Sequence, residues 1–361
     1  MKRAINFNAG PAAIPQEVLE KAQAEMLDWK GTGMSVMEVS HRSKEYEELN
    51  NHAQASFKEI AGMGDGWKVL FLQGGANLQF AMLPMNFIPE GGKAEYILTG
   101  QWAKIALKEA KRFGGAGIAS TEKDGVFRSI PRQPEIAVDP ASAYVHMTSN
   151  NTIFGTQWQY WPEVGSVPLV ADMSSDMFSR PFPAEKFSLI YAGAQKNLGP
   201  SGVVAVAVKE AFLATAKEDL PSMLSYKIQA ANNSLFNTPP CFSVYILDLT
   251  LDWIKKMGGL KGLESINDEK ARVLYEAIDA SDGYYNCPVD KADRSKMNVV
   301  FRLKTEDLEE KFVKEAKAAG IVGVKGHRSV GGIRFSIYNA NLVENVKISA
   351  DFMKDFRKRN G

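Results

Sequence analysis

The sequence predicts an α/β protein with a mostly parallel central sheet in a large domain, followed by a smaller α+β C-terminal domain. Three observations predict it. Between Trp67 and Val208, short apolar runs alternate with amphipathic stretches, the pattern of strands laid side by side and covered by helices. Most of these runs end in glycine or small polar residues, as strands that open onto loops do. The 361-residue length exceeds what one hydrophobic core usually organises, which predicts two domains.

The strands are expected at Lys68 to Leu72, Tyr96 to Thr99, Tyr144 to Thr148, Val167 to Ala171, Phe187 to Ala192 and Val203 to Val208. Helices are expected at Asn77 to Phe87 and at Trp102 to Phe113, the second stopped by Gly114-Gly115. After Leu249 the pattern changes: a long helix ends near Gly258-Gly259, where two glycines mark a boundary. The expected division is therefore 16–258 for the large domain and 259–361 for the small one, with 1–15 packing back on the latter. In the small domain Thr305 can cap a helix that carries acidic residues in its first turn, Leu308, Phe312, Ala316 and Ala319 on one face, and Gly320 as its stop. Gly332 to Tyr338 alternates as a strand and turns Arg334 away from Ile333 and Phe335, and Asn341 to Arg357 closes the chain as a helix.

Composition narrows the function classes. Hydrophobic residues make up 45% and charged residues 24%, so disordered and collagenous chains lose support, and no run approaches the roughly 18 apolar residues of a membrane helix. Forty-three basic against 42 acidic residues leave a net charge of +1, which offers no global field to nucleic acid or to a membrane surface. Cys241 and Cys287 lie outside any Cys-x-x-Cys spacing, so neither a disulfide framework nor a metal site is readable. The opening MKRAINFNAGPAAIP has no apolar stretch of a secretory signal, and a cytoplasmic location is expected.

The unusual polar residues fall just after successive strand ends, where open α/β sheets bind ligands. Gly74-Gly75 before a helix suits a phosphate or simply a tight turn; Trp102 suits a stacked ring or a core position. Asp172 suits a buried acid or a turn in MSSD. Lys196 follows a buried run within the small residues of AGAQKNLGPSG, where a solvated side chain gains little. Pyridoxal phosphate needs this set together: a lysine for the Schiff base, an acid beside the pyridine nitrogen, a helix N-terminus for the phosphate and a partner for the ring.

FNAGPAAIP, MSVMEVSHRS, QGGANLQF, GQWA, AGAQKNLGPSG, FNTPP and GHRSVGGIRFSIYNA together resemble the phosphoserine aminotransferases, a family of fold-type I pyridoxal phosphate enzymes, over nearly the whole chain. The resemblance implies Lys196 as the Schiff-base lysine, Asp172 at the pyridine nitrogen, Trp102 stacked on the ring and Thr152 on the ring hydroxyl. It implies Gly75, Ala76, Asn77 and Gln195 around the cofactor phosphate, with Asn237 and Thr238 reaching it from the second subunit of a homodimer. Some relatives carry Arg at the position of Asn77, so anchoring here leans on backbone N–H groups and the helix dipole. Arg334 is implied at the substrate α-carboxylate, and His41, Arg42, His327 and Arg328 at the distal phosphate or the glutamate γ-carboxylate, partly across the subunit interface. By charge alone, the two His-Arg pairs suit either surface salt bridges or a clamp for a dianion. His52 and His146 are expected to be structural.

The expected activity is transfer of the amino group of L-glutamate to 3-phosphohydroxypyruvate, giving O-phospho-L-serine for serine synthesis. The family also implies action on 3-hydroxy-2-oxo-4-phosphooxybutanoate in vitamin B6 synthesis. The alternatives are another fold-type I enzyme, such as an alanine:glyoxylate-type transaminase or a cysteine desulfurase, and a non-catalytic nucleotide-binding α/β protein. Against the last, no G-x-x-x-x-G-K-[ST] is present.

Overall fold

The computed structural model describes residues 3–122 and 126–361. In chain order the first half comprises β1 (Ile5–Asn6), α1 (Gln16–Ala24), α2 (Lys44–Ala61), β2 (Trp67–Leu72), α3 (Gly75–Phe87), β3 (Lys93–Leu98), α4 (Gln101–Ala110), β4 (Gly115–Thr121), β5 (Val145–Thr148) and β6 (Leu169–Asp172). There follow β7 (Leu189–Gly193), β8 (Val204–Lys209), α5 (Glu210–Leu213), α6 (Tyr226–Ala231), α7 (Cys241–Lys256), α8 (Gly259–Asp279), β9 (Asn298–Phe301), α9 (Glu306–Ala318), β10 (Ile321–Val322), β11 (Ile333–Ser336) and α10 (Val343–Asn360).

Seven strands form the main sheet in the order β2-β8-β7-β6-β5-β3-β4. All run parallel except β8, which is antiparallel to both of its neighbours, β2 and β7. The period of two along each strand divides its side chains between two cores. Leu169 and Ala171 of β6 enter the core on one face, with Tyr46, Leu49 and Phe57 of α2 and Leu247 of α7. Val170 enters the core on the other face, with Phe80 and Leu83 of α3 and Ala106 of α4. Burial on both faces explains why these strands read as unbroken apolar runs.

A third core gathers Leu274 and Ile278 of α8, Phe301, Phe312, Phe335 and Phe356 around two small sheets. One is the antiparallel pair β9 and β11; the other pairs β1 in parallel with β10, Ile5 opposite Ile321, so the N-terminal strand closes on the C-terminal third of the chain. Thr305 caps α9 as the sequence predicts, its Oγ1 accepting from Leu308 N at 3.3 Å.

Three expectations are corrected. Gly115–Thr121 forms an edge strand that the sequence reading does not contain. The helix after Trp102 stops at Ala110, because the chain turns before Gly114-Gly115 to enter that strand. Ala319 is exposed beyond the end of α9, and the buried face of that helix is completed by Glu309, whose carboxylate pairs with Arg302 Nε at 2.6 Å.

Candidate active site

The cavity at the sheet's C-terminal edge follows from the topology. Parallel strands end on one edge, and the antiparallel β8 begins there, so the segments after β2, β3, β5, β6 and β7 and before β8 converge. They enclose about 290 Å³, lined by Gly74 to Asn77, Trp102, Thr152, Asp172, Ser174, Gln195, Lys196 and Gly202 among others.

Asp172 is the last residue of β6, flanked across the ladder by Thr148 of β5 and Tyr191 of β7. Its Oδ1 accepts from Ser174 N at 2.9 Å, and Ser174 Oγ accepts from Gly193 N at 3.0 Å, which ties the acid to the end of the adjacent strand. Burial raises the Asp172 pKa above the ordinary carboxylate value, against the bonds from Ser174 and the charge of Lys196.

Lys196 stands three residues beyond β7. Its Nζ donates to Thr152 Oγ1 at 2.8 Å and lies 5.9 Å from the centre of the Trp102 ring. Burial lowers the pKa of this amine to about 8; Asp172 works against the shift, and Arg334 adds to it. Over Lys196 runs the N-terminal segment: Ala12 N donates to Gln195 O at 2.9 Å, and a Cβ on Gly10 would lie 3.5 Å from Lys196 Cγ.

On the opposite side, α3 opens on Gly74, with φ of 80°, and no side chain caps its first N–H groups. Its first turn holds no acidic residue, so the positive end of the helix dipole faces the cavity unneutralised. These groups fit pyridoxal 5′-phosphate: an amine of lowered pKa, a buried acid, an uncapped helix N-terminus for a dianion, and an indole whose buried Nε1 has no partner among the described residues.

A second cavity of about 210 Å³ is lined by Phe127, Ile153, Phe154, Phe301, His327 and Arg334 among others. Arg334 Nη1 donates to Thr152 O at 3.2 Å, so the residue that receives the Lys196 bond also fixes this guanidinium. His327 Nδ1 lies 2.7 Å from Ser329 Oγ, and burial together with Arg334 and Arg328 lowers its pKa.

Within one chain the remaining expected residues are not among those that line these two cavities, although Arg328 adjoins the lining His327 and Thr238 is bonded by Gln73, next to the lining Gly74. His41 is half-buried, its Nε2 without a partner among the described residues, and Arg42 and Arg328 are exposed. Asn237 donates from Nδ2 to Thr238 O at 3.2 Å, and Gln73 Nε2 donates to the same carbonyl at 3.0 Å, outside the main cavity. His146 is fully buried, stacked on Tyr96 with Nε2 2.7 Å from Tyr191 Oη, as a structural histidine would be. His52 is not packed in the core: it is exposed on α2, with Nδ1 2.7 Å from Asp248 Oδ1.

The sequence reading missed Ser174 and the Gly10 segment. Ser174 carried a signal, since it follows Asp172 by two positions; Gly10 lies in the FNAGPAAIP stretch of the resemblance, but its place over Lys196 comes from the pairing of β1 with β10, which no local pattern states.

The model of the aminotransferase class-V family matches residues 4–348. The phosphoserine aminotransferase of Herpetosiphon aurantiacus is 53% identical over 356 residues, covering 99% of each chain, and that of Niallia circulans is 52% identical over 360 residues, covering 100% of this chain and 99% of its own. The solved phosphoserine aminotransferase from Bacillus circulans subsp. alkalophilus superimposes with a TM-score of 0.98 at 51% identity, covering all of both chains. Another, studied for radiation damage of its Schiff base, gives 0.97 at 49% identity, covering 99% of this chain and 100% of its own. An alanine–glyoxylate aminotransferase from Nostoc sp. shares the fold, with a TM-score of 0.78 at 14% identity, covering 99% of this chain and 96% of its own. With matches of this extent the chain belongs to the phosphoserine aminotransferases, pyridoxal phosphate-dependent members of aminotransferase class V.

Proposed function

We propose that this protein transfers the amino group of L-glutamate to 3-phosphohydroxypyruvate, yielding O-phospho-L-serine and 2-oxoglutarate in the cytoplasm, as a step of serine biosynthesis. The observation that carries this reading is the convergence of Lys196, Asp172 and the uncapped start of α3 on one cavity, with Arg334 fixed beside it. Bound pyridoxal phosphate supplies an electron-withdrawing ring that makes the substrate α-proton acidic.

The chain's own residues do the rest. Asp172 keeps a proton at the ring nitrogen through a charge-assisted hydrogen bond. Lys196 holds the cofactor and then moves the α-proton with Nζ, whose pKa of about 8 suits an acid–base group near neutral pH. Thr152 steers that amine, and Trp102 covers the ring and keeps water from it. The N–H groups of Gly75, Ala76 and Asn77, with Gln195, receive the phosphate.

Arg334 receives the α-carboxylate common to both amino acids. His327 and Arg328, joined by His41 and Arg42 of the partner subunit, take the distal phosphate or γ-carboxylate. In the same homodimer, Asn237 and Thr238 of the partner subunit complete the phosphate site. That His41, Arg42, Asn237 and Thr238 line neither cavity of one chain, and do not adjoin the Arg334 cavity as Arg328 does through His327, supports a second chain as the element that brings them there.

The test is amino transfer by the loaded protein from L-glutamate to 3-phosphohydroxypyruvate, with pyruvate, glyoxylate and 3-hydroxy-2-oxo-4-phosphooxybutanoate as rival acceptors. Preference for phosphorylated acceptors by two orders of magnitude in kcat/KM is expected. Equal or better use of glyoxylate would refute the substrate reading and leave only the fold.

A further inference from the structure

Helix α8 buries an unusual face. Leu263, Ala271, Leu274 and Ile278 are apolar, but Asn267 and Lys270, one turn apart on the same side, are also buried, and Lys270 is 0% exposed. Among the described residues no carboxylate pairs with Lys270. Its Nζ donates instead to two main-chain carbonyls, Ile337 O and Tyr338 O, each at 2.8 Å. A buried amine without an anion is costly, and buried carbonyls need donors, so these two bonds are what offsets its burial.

The clamped carbonyls sit at a junction. They follow directly on β11, which carries Arg334 three and four residues earlier. Tyr338 Oη donates to Ala9 O at 2.8 Å, in the segment that runs over Lys196. Asn339 N donates to Asn197 Oδ1 at 3.0 Å, next to Lys196 itself, and Asn339 Nδ2 donates to Phe178 O at 3.0 Å. Asn267 extends the clamp, its Nδ2 donating to Asn339 Oδ1 at 2.9 Å and to Ser179 O at 2.8 Å. Three residues of one strand and its extension, Arg334, Tyr338 and Asn339, thus touch the Lys196 site or its supports, and α8 holds that extension from behind.

We propose that Lys270 is a positioning residue for amino-acid substrates: by clamping the carbonyls of Ile337 and Tyr338 it sets β11, and with it Arg334, at a fixed place relative to Lys196. The inference rests on the reading of Arg334 as the α-carboxylate site. Both substrates carry that carboxylate, so loss of the clamp weakens both equally, whereas loss of a distal-group residue such as Arg328 weakens them unequally.

Lys270→Met keeps an unbranched stem as far as Cε and removes the donors; Lys270→Gln, of the same reach, places there an amide nitrogen with two N–H donors, one per carbonyl. The Met variant is expected to raise KM for L-glutamate and for O-phospho-L-serine in parallel by about tenfold, with kcat within twofold and pyridoxal phosphate affinity unchanged. The Gln variant is expected to recover most of that loss. Should Lys270→Met not fold, as judged by its melting transition, Asn267→Ala cuts the same chain of bonds and is expected to show the same parallel rise in smaller degree. An unchanged KM in whichever of the two folds, or a rise for one substrate alone, overturns the proposal. Absence of turnover with either substrate in the unaltered protein overturns the functional reading instead.

Discussion

At the residue scale, chemistry depends on side chains that the sequence placed at strand ends. Asp172 and Lys196 were legible because each follows an apolar run, Asp172 at its end and Lys196 a few small residues beyond, with a residue that burial makes expensive, and the structure brings both to one cavity. Lys196→Ala is expected to leave a folded protein and to cut amino transfer by at least about a thousandfold, the scale on which a positioned proton carrier acts; turnover near the unaltered rate would remove Lys196 from the reaction. Borohydride reduction of the loaded protein followed by peptide mapping reads the same assignment without turnover. Arg42→Ala and Arg328→Ala are each expected to raise KM for phosphorylated substrates by tenfold or more, and to affect L-glutamate less, since each removes a charge-assisted bond to a dianion. The places of His41, Arg42, Asn237 and Thr238 relative to the site were not legible from pattern. Nothing in the local sequence of an exposed arginine states which subunit's cavity it serves.

At the scale of elements, the sequence located strands by apolar runs buried on both faces, and these lie within a few residues of the observed bounds. Direction was not legible: Val204–Lys209 has the same apolar character as its parallel neighbours, and only its place between β2 and β7 makes it antiparallel. The edge strand Gly115–Thr121 escaped because GAGIAST has two glycines and an exposed Ile118, so it lacks the apolar run that marks an interior strand. The cap of α9 was legible in Thr305, whereas the side-chain caps that Ser43 gives α2 and Ser225 gives α6 were not read. Thr305→Ala is expected to cost about 1 kcal/mol of stability, measured by denaturant unfolding, because Leu308 N loses its acceptor. The start of α3 is the opposite case. It has no side-chain cap, and adding one there is expected to weaken pyridoxal phosphate binding.

For the whole molecule, the site is assembled from distant stretches of chain: β1 pairs with β10, which lays the N-terminal segment over Lys196, and β11 brings Arg334 to Thr152. If the protein is a homodimer and Arg42 serves the partner's site, mixing the Lys196→Ala and Arg42→Ala proteins, and assaying well below the unaltered KM for the phosphorylated substrate, where each alone is at most weakly active, is expected to restore about a quarter of the unaltered activity, since half of the random pairs regain one of two sites. No recovery would place Arg42 in its own subunit's site. Stability also carries a pH signature. His146, held neutral in the sheet, has its pKa lowered by burial to about 3, against 6.5 in a free chain. Its contribution is therefore complete above about pH 6.5 and is lost as the pH falls toward 3. The stability difference between the unaltered protein and His146→Phe is expected to shift by roughly 2 kcal/mol between pH 7 and pH 5, to the detriment of the unaltered protein. A difference independent of pH would mean that His146 titrates normally. The central claim, that one cavity accepts both glutamate and a phosphorylated partner, is tested most directly by titrating the pyridoxal phosphate-loaded protein with amino acids and following its visible absorbance. The account predicts loss of the visible band with O-phospho-L-serine and with L-glutamate at low concentration, and little response to L-serine, L-alanine or L-cysteine. A band that responds best to alanine or cysteine would contradict it.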